Sequence, residues 1–141
     1  MRVLGIDFGE VRIGIAISDP AGRMAMPLTT LNRVSDQDAI AQIQAIVAQE
    51  DIEHLVLGEP RNMDGSVGDA ANRVRSFRRK LQEHIPLPCD LVDETLTSVE
   101  ARERLLDAGV DPRRVRERID QVAAQILLEQ YFASDSKADD D

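Results

Sequence analysis

The sequence predicts an α/β domain with a mixed five-stranded sheet, in which an antiparallel three-stranded meander is extended by parallel strands and helices cover both faces. Two patterns lead to this prediction. Apolar runs that alternate with period two follow one another through the first 26 residues, as in strands connected by hairpins. From about residue 35 onward, helical patterns alternate with short apolar runs, which is typical of parallel strands joined by helices. The 141 residues suit a single domain, and a lone cysteine, Cys89, leaves no intrachain disulfide.

Three apolar runs separated by turn residues form the predicted meander. The middle run places isoleucine at every second position from 13 to 17, so one face of this strand should be buried. The intervening segments contain glycine, aspartate and proline, which favour tight reversals of the chain. The predicted strands cover residues 2–7, 12–18 and 24–26.

Helix-start signals mark the alternating helices and strands that follow. Ser35 is a typical N-cap residue, and Asp36 and Asp38 fall in the first turn of the helix after it. Thr97 and Glu100 fit a capping box at the start of a later helix. The predicted strands cover residues 54–58 and 87–92, and the predicted helices begin near residues 35, 69, 97 and 119.

The charge distribution limits the classes of partner. The net charge of −9 argues against polyanionic partners overall, since Lys and Arg dominate the affinity for phosphates. Five basic residues and no acid nevertheless lie between Arg73 and Lys80, where they form either a phosphate-binding face or a solvated one. The folded domain is expected to cover residues 1–133, with an acidic, disordered tail at 134–141. With no leader-like or membrane-spanning apolar run, we expect a cytoplasmic protein with no membrane partner.

Three carboxylates fall where the predicted fold gathers functional groups. Asp7 ends the first strand, Glu94 follows the last strand, and Asp120 lies near an apolar helix face. Burying a carboxylate costs several kcal/mol unless it is hydrogen-bonded or binds a cation. Oxygen ligands gathered at one sheet edge suit Mg²⁺ or Mn²⁺, and two such ions can hold and hydrolyse a phosphodiester. Taken singly, each residue has a structural alternative: a turn cap, a solvated acidic pair, or a helix residue at the polar boundary.

The glycine-rich turn at residues 5–9 also allows a second interpretation. It is similar to the phosphate-cradling hairpin of sugar-kinase and actin-type ATPases. Those proteins need a second domain to bind their nucleotide, and 141 residues leave little room for one. We therefore favour the carboxylate site.

Four motifs in order along the chain, spanning residues 5 to 131, carry a specific resemblance. They are Gly5-Ile6-Asp7-Phe8-Gly9 with Arg12-Ile13-Gly14, Gly58-x-Pro60-x-Asn62-Met63-Asp64-Gly65-Ser66, Asp93-Glu94-x-Leu96-Thr97 with Glu100-Ala101, and Asp120-x-x-Ala123-Ala124-x-Ile126-Leu127. Together they closely resemble the YqgF family, also called the RuvX or Holliday junction resolvase family. The chain departs from the family pattern at Thr95, where arginine is usual, and at Glu59, where an apolar residue is usual.

The resemblance implies a ribonuclease-H-like fold, close to the RuvC resolvases, with a divalent-metal nuclease site. It makes Asp7, Glu94 and Asp120 both the catalytic residues and the ligands of Mg²⁺ or Mn²⁺, with two ions expected. It also connects the chain with maturation of the 5′ end of 16S ribosomal RNA and, by fold analogy, with Holliday junctions. Contacts to the substrate are expected from Arg12, Asn62, Arg75 and Arg79.

We therefore expect a metal-dependent nuclease that hydrolyses phosphodiester bonds in structured nucleic acid, with the 5′ end of precursor 16S ribosomal RNA as its substrate. One alternative is a Holliday junction resolvase acting on branched DNA. Another is a catalytically silent binding module in ribosome assembly. The protein is expected to be a monomer or a homodimer, since a resolvase that makes two related cuts should be a symmetric dimer. His54 shows no pattern of partners and is expected at the surface.

Overall fold

The computed structural model describes residues 1–60, 68–94 and 97–139, with side chains described as far as residue 134. Within these residues the chain forms five strands and four helices, in the predicted order. They are β1 (Val3–Phe8), β2 (Arg12–Ser18), β3 (Ala25–Asn32), α1 (Asp36–Gln49), β4 (His54–Glu59), α2 (Asp69–His84), β5 (Cys89–Asp93), α3 (Thr97–Asp107) and α4 (Pro112–Asp139).

The strands form one mixed sheet in the order β3-β2-β1-β4-β5, with β1 at its centre. The β1–β2 and β2–β3 pairs are antiparallel and form the meander. The β1–β4 and β4–β5 pairs are parallel, because helices α1 and α2 provide the crossovers. The predicted mixed sheet is therefore confirmed, and the carboxyl ends of β1, β4 and β5 lie at the same edge.

The two faces of the sheet bury different helices because side chains alternate along each strand. The isoleucines of β2 belong to the larger core cluster, together with Ile43 of α1 and Phe77 of α2. Ala16, also on β2, points to the other face and packs with Leu127 and Leu128 of α4. Helices thus cover both faces, as predicted. Among the described elements, α4 is the one helix that packs on the second face of the meander.

Glycine allows α4 to lie close to the sheet. A Cβ atom at Gly14 on β2 would overlap the backbone oxygen of Asp120 on α4. A Cβ atom at Gly5 on β1 would lie 2.6 Å from Cγ of Leu128. Real Cβ atoms essentially never approach other heavy atoms within 3.0 Å, so a larger residue at Gly14 would push the helix away, and one at Gly5 would displace the Leu128 side chain. These two glycines therefore fix the height of α4 above the sheet and the position of Asp120.

Three boundaries differ from the sequence-based expectations. β3 continues past Pro27 to Asn32, because β3 is an edge strand and such strands tolerate proline. A β-bulge lies opposite this part of β3, where the register of β2 shifts between Ile15 and Ala16. α4 begins at Pro112, well before residue 119, since proline is well suited to the first turn of a helix. Thr97 is the first residue of α3 rather than a residue preceding it.

The last helix continues into the segment for which the sequence predicts a tail. α4 is assigned through Asp139, whereas the side chains of residues 135–141 lie outside the described part. The domain limit at residue 133 therefore stays a prediction. Within the described residues, no helix combines the length and the apolar character that crossing a membrane requires.

Candidate active site

Two of the three predicted site carboxylates meet at the carboxyl edge of the sheet. Asp7 lies near the end of β1, and Glu94 follows directly after β5. Their side chains are hydrogen-bonded to each other. Asp120 lies on α4 above the same edge, close enough for its charge to raise the pKa of both Asp7 and Glu94. The structure therefore brings Asp7 and Glu94 into contact, with Asp120 as a near neighbour.

Gly58 provides the path by which Glu94 reaches Asp7. β4 lies between β1 and β5 in the sheet, so the Glu94 side chain must pass over β4. A Cβ atom at Gly58, on β4, would lie 2.5 Å from Oε2 and 2.7 Å from Cδ of Glu94. Glycine leaves this space open, because it has no side chain at the crossing point. The role of Gly58 was missed from the sequence, although a glycine beside the end of a buried strand is the signal that points to it.

Two further contacts orient Glu94. Its backbone N–H donates to the backbone oxygen of Glu59 at 3.0 Å, which continues the parallel pairing of β5 with β4. The hydroxyl group of Thr97, at the start of α3, donates to Oε1 of Glu94 at 3.2 Å. The carboxyl group is therefore held from both the sheet and the helix that follows it.

Burial dominates the electrostatics of the pair. Removal from water raises the pKa of Asp7, although the hydrogen bond with Glu94 acts in the opposite direction. Burial, followed by the hydrogen bond and the repulsion from Asp7, raises the pKa of Glu94 to about 10. At neutral pH the Glu94 carboxyl group is therefore protonated and donates to the Asp7 carboxylate. One proton thus prevents two adjacent negative charges from being buried together.

Asp120 is engaged by a different partner. Nε of Arg12, the first residue of β2, donates to Oδ2 of Asp120 at 2.8 Å. Across residues 1–60, 68–94 and 97–139, no three acidic, histidine or cysteine side chains converge closely enough to hold one metal ion. The structure thus brings Asp7 and Glu94 together, whereas Asp120 is paired with Arg12.

The donor set at the pair fits a divalent cation. Carboxylate oxygens are the preferred ligands of Mg²⁺ and Mn²⁺, and Asp7 and Glu94 supply them side by side. A cation between them would take the place of the shared proton and would neutralise the buried charge more completely. The nearby charge of Asp120 would add to this attraction.

The other predicted substrate contacts have different surroundings. Arg75 of α2 forms a two-pronged ion pair with Glu59, through Nε at 2.8 Å and a terminal nitrogen at 3.1 Å. Glu59 is only 2% exposed, so this pairing compensates a buried charge. Arg79 is exposed and makes no ion pair with any residue the structure describes. Asn62 and Thr95 lie outside the described residues. The substrate contacts expected of Arg75, Arg79 and Asn62 stay predictions.

A polar cluster at the edge of the sheet was missed from the sequence. His54 is not a free surface residue: Nε2 lies 2.9 Å from Oδ2 of Asp90 and 3.2 Å from the hydroxyl oxygen of Tyr131. The Tyr131 hydroxyl group donates to Asp90 at 2.8 Å. These hydrogen bonds lower the pKa of Asp90, although burial acts against them. The cluster connects the outer strand β5 to α4.

Comparison with known proteins identifies the family. The model of the RuvX family, described as Holliday junction resolvase, matches residues 1–134. The chain belongs to the RuvX family. Two relatives agree with this over nearly the full length. A protein of Moorella thermoacetica named "Putative pre-16S rRNA nuclease" is 45% identical over 132 residues, which cover 94% of each chain. A protein of Chloroflexus aggregans with the same name is 43% identical over 130 residues, which cover 92% of each.

Solved structures confirm the ribonuclease-H-like fold of this RuvX protein. RuvC of Thermus thermophilus, solved with a Holliday junction substrate, superposes with a TM-score of 0.61. The match covers 97% of this chain and 96% of RuvC at 13% identity. The fowlpox virus resolvase, solved with Holliday junction DNA, gives a TM-score of 0.58 at 9% identity, with 95% and 98% of the two chains covered. At such low identity the likeness concerns the fold alone.

Proposed function

We propose that this RuvX-family protein is a divalent-metal-dependent nuclease that processes the 5′ end of precursor 16S ribosomal RNA. The observation that carries this proposal is the buried contact between Asp7 and Glu94, with Asp120 beside it. Such a pair is unfavourable for stability without a cation, and it fits the ions that activate water against phosphodiesters. The names of the relatives supply the substrate.

The proposed roles follow from the contacts of each residue. Asp7 and Glu94 would hold Mg²⁺ or Mn²⁺, and Asp120 would add negative charge. The resemblance to the family favours two ions. When bound, the metal supplies an activated water and stabilises the leaving oxygen. Glu94 would hold the metal in its deprotonated form, and Thr97 and Gly58 keep its side chain over β4.

A Holliday junction resolvase is the second candidate, because the family model carries that description. The two candidates share the site and differ in the nucleic acid that they cut. A binding module without activity is the third candidate and predicts affinity for RNA without cleavage. The oligomeric state, monomer or homodimer, and the cytoplasmic location expected from the sequence belong to the proposal as well.

The test is to offer matched substrates to the purified protein. A precursor 16S RNA fragment, a linear DNA duplex and a four-way DNA junction are incubated with Mn²⁺, with Mg²⁺ or with EDTA. We expect metal-dependent cleavage of the RNA, complete loss of cleavage in Asp7→Asn, and normal cleavage in Asp107→Asn, which changes an exposed acid on α3. Cleavage of the junction alone would support the resolvase. Binding of the RNA without any cleavage would support the binding module, and an active Asp7→Asn protein would refute the assigned site.

A further inference from the structure

A basic pocket lies next to the candidate active site. It has a volume of about 300 Å³ and is lined by three arginines and three apolar residues. The arginines come from three different elements: Arg12 from β2, Arg102 from α3 and Arg116 from α4. The apolar walls are formed by Pro112, Val115 and Ile119 of α4.

We propose that Arg12, Arg102 and Arg116 form a subsite that binds a backbone phosphate of the nucleic acid, adjacent to the phosphate that is cut. This inference rests on the proposed nuclease function and adds to it a binding site for the strand. Arginine suits this role because its planar guanidinium group offers several donors that match phosphate oxygens.

The charges around the pocket support an anionic ligand. Arg102 and Arg116 are exposed and make no ion pair or side-chain hydrogen bond within the described residues. By contrast, Arg104 on the other side of α3 pairs with Glu129 at 2.6 Å. The net charge of the protein is −9, yet two of the three arginines of this pocket have no acidic partner among the described residues, and the third, Arg12, pairs with Asp120. Mutual repulsion between the guanidinium groups is relieved when an anion binds among them.

Arg12 connects the pocket to the catalytic carboxylates. Its Nε donates to Asp120, whereas its terminal nitrogens make no hydrogen bond with a described residue. One guanidinium group therefore faces both the carboxylate and the pocket. The pocket is lined by Arg12 but by neither Asp7 nor Glu94. This position suits a neighbouring phosphate of the strand rather than the phosphate being cleaved.

The test measures RNA binding in EDTA, so that it does not depend on cleavage. Fluorescence anisotropy with a short structured RNA gives the affinity at several salt concentrations for the native protein, Arg102→Gln and Arg116→Gln. Loss of one phosphate contact should lower the slope of log K against log salt by about 0.7–0.9 and weaken binding about five- to eightfold at 0.1 M salt. Arg118→Gln is the matched control, because Arg118 is also exposed on α4 but does not line the pocket. It should leave the slope unchanged.

Further measurements make the outcomes distinct. Arg116→Lys keeps the charge and should keep most of the slope, and melting temperatures verify that each variant is folded. In a second arm, inorganic phosphate is titrated against the RNA complex and against the free protein. Equal slopes for Arg116→Gln and Arg118→Gln would overturn the subsite. Inorganic phosphate that binds at the pocket without weakening the binding of RNA would overturn it as well. If the slopes change but no substrate is cut, the subsite stands and the nuclease function fails.

Discussion

Replacing Glu94 by glutamine should stabilise the metal-free protein at neutral pH and remove a pH dependence that the native protein shows. Burial and Asp7 raise the pKa of Glu94 from its ordinary value of 4.5 to about 10. Between these two values the folded state retains a proton that the unfolded state has released. The free energy of unfolding of the native protein must therefore fall as pH rises through this window.

The size of the effect follows from the width of the window. Within this window only the folded state holds the proton, so the free energy of unfolding falls by about 1.4 kcal/mol for each pH unit. From pH 5.5 to 7.5 the native protein should lose about 3 kcal/mol, a large share of the 5–15 kcal/mol typical of a domain. The lowered pKa values of Asp36 and Asp90 act at more acidic pH and do not contribute here, whereas the raised pKa of Asp7 acts in the same direction as that of Glu94. Glutamine has no proton to release, so most of this loss should disappear.

Urea unfolding in EDTA at pH 5.5, 6.5 and 7.5 measures the effect directly. Glu83→Gln is the matched control, because Glu83 is an exposed acid on α2 and should leave the native dependence intact. Mn²⁺ binding should show the opposite dependence on pH. Because the metal displaces the proton of Glu94, the apparent affinity for Mn²⁺ should rise about tenfold for each unit by which the pH rises. A native protein whose stability in EDTA is flat from pH 5.5 to 7.5 would refute a protonated, buried Glu94. An equally steep loss in Glu94→Gln would refute its assignment to this residue.

Two further substitutions, together with one control, test the contacts around the site. Gly14→Ala should destabilise the protein by about 3 kcal/mol in urea unfolding, because α4 must move by about 1 Å to clear the backbone oxygen of Asp120. Gly109→Ala, at a positive φ with open space around it, should cost only about 1 kcal/mol; equal costs would contradict the close approach of α4. Arg75→Met should cost about 2 kcal/mol, because Glu59 is buried and loses its two-pronged partner. A neutral result in the same assay would show that Glu59 does not depend on Arg75.

Local sequence signals predicted the elements and the gathering of carboxylates, whereas pairings between distant segments were out of reach. Ser35 is the N-cap of α1 because its neighbours alone determine that contact. Asp7 and Glu94 could be expected together because parallel strands end at one edge of the sheet. The role of Gly58 depends on β4 lying between β1 and β5, which no local pattern reveals. His54 has the same difficulty, since its partners lie 36 and 77 residues further along the chain.

The order of synthesis gives the position of α4 a further consequence. The meander and β4 leave the ribosome before α4, the helix that covers one face of β1 and β2. At 5–20 residues per second, the roughly 75 residues from the end of β4 to residue 134 take about 4–15 s to make. During that interval the nascent chain exposes an apolar sheet face and lacks Asp120 in its final place. The three carboxylates can therefore come together only after α4 has been synthesised.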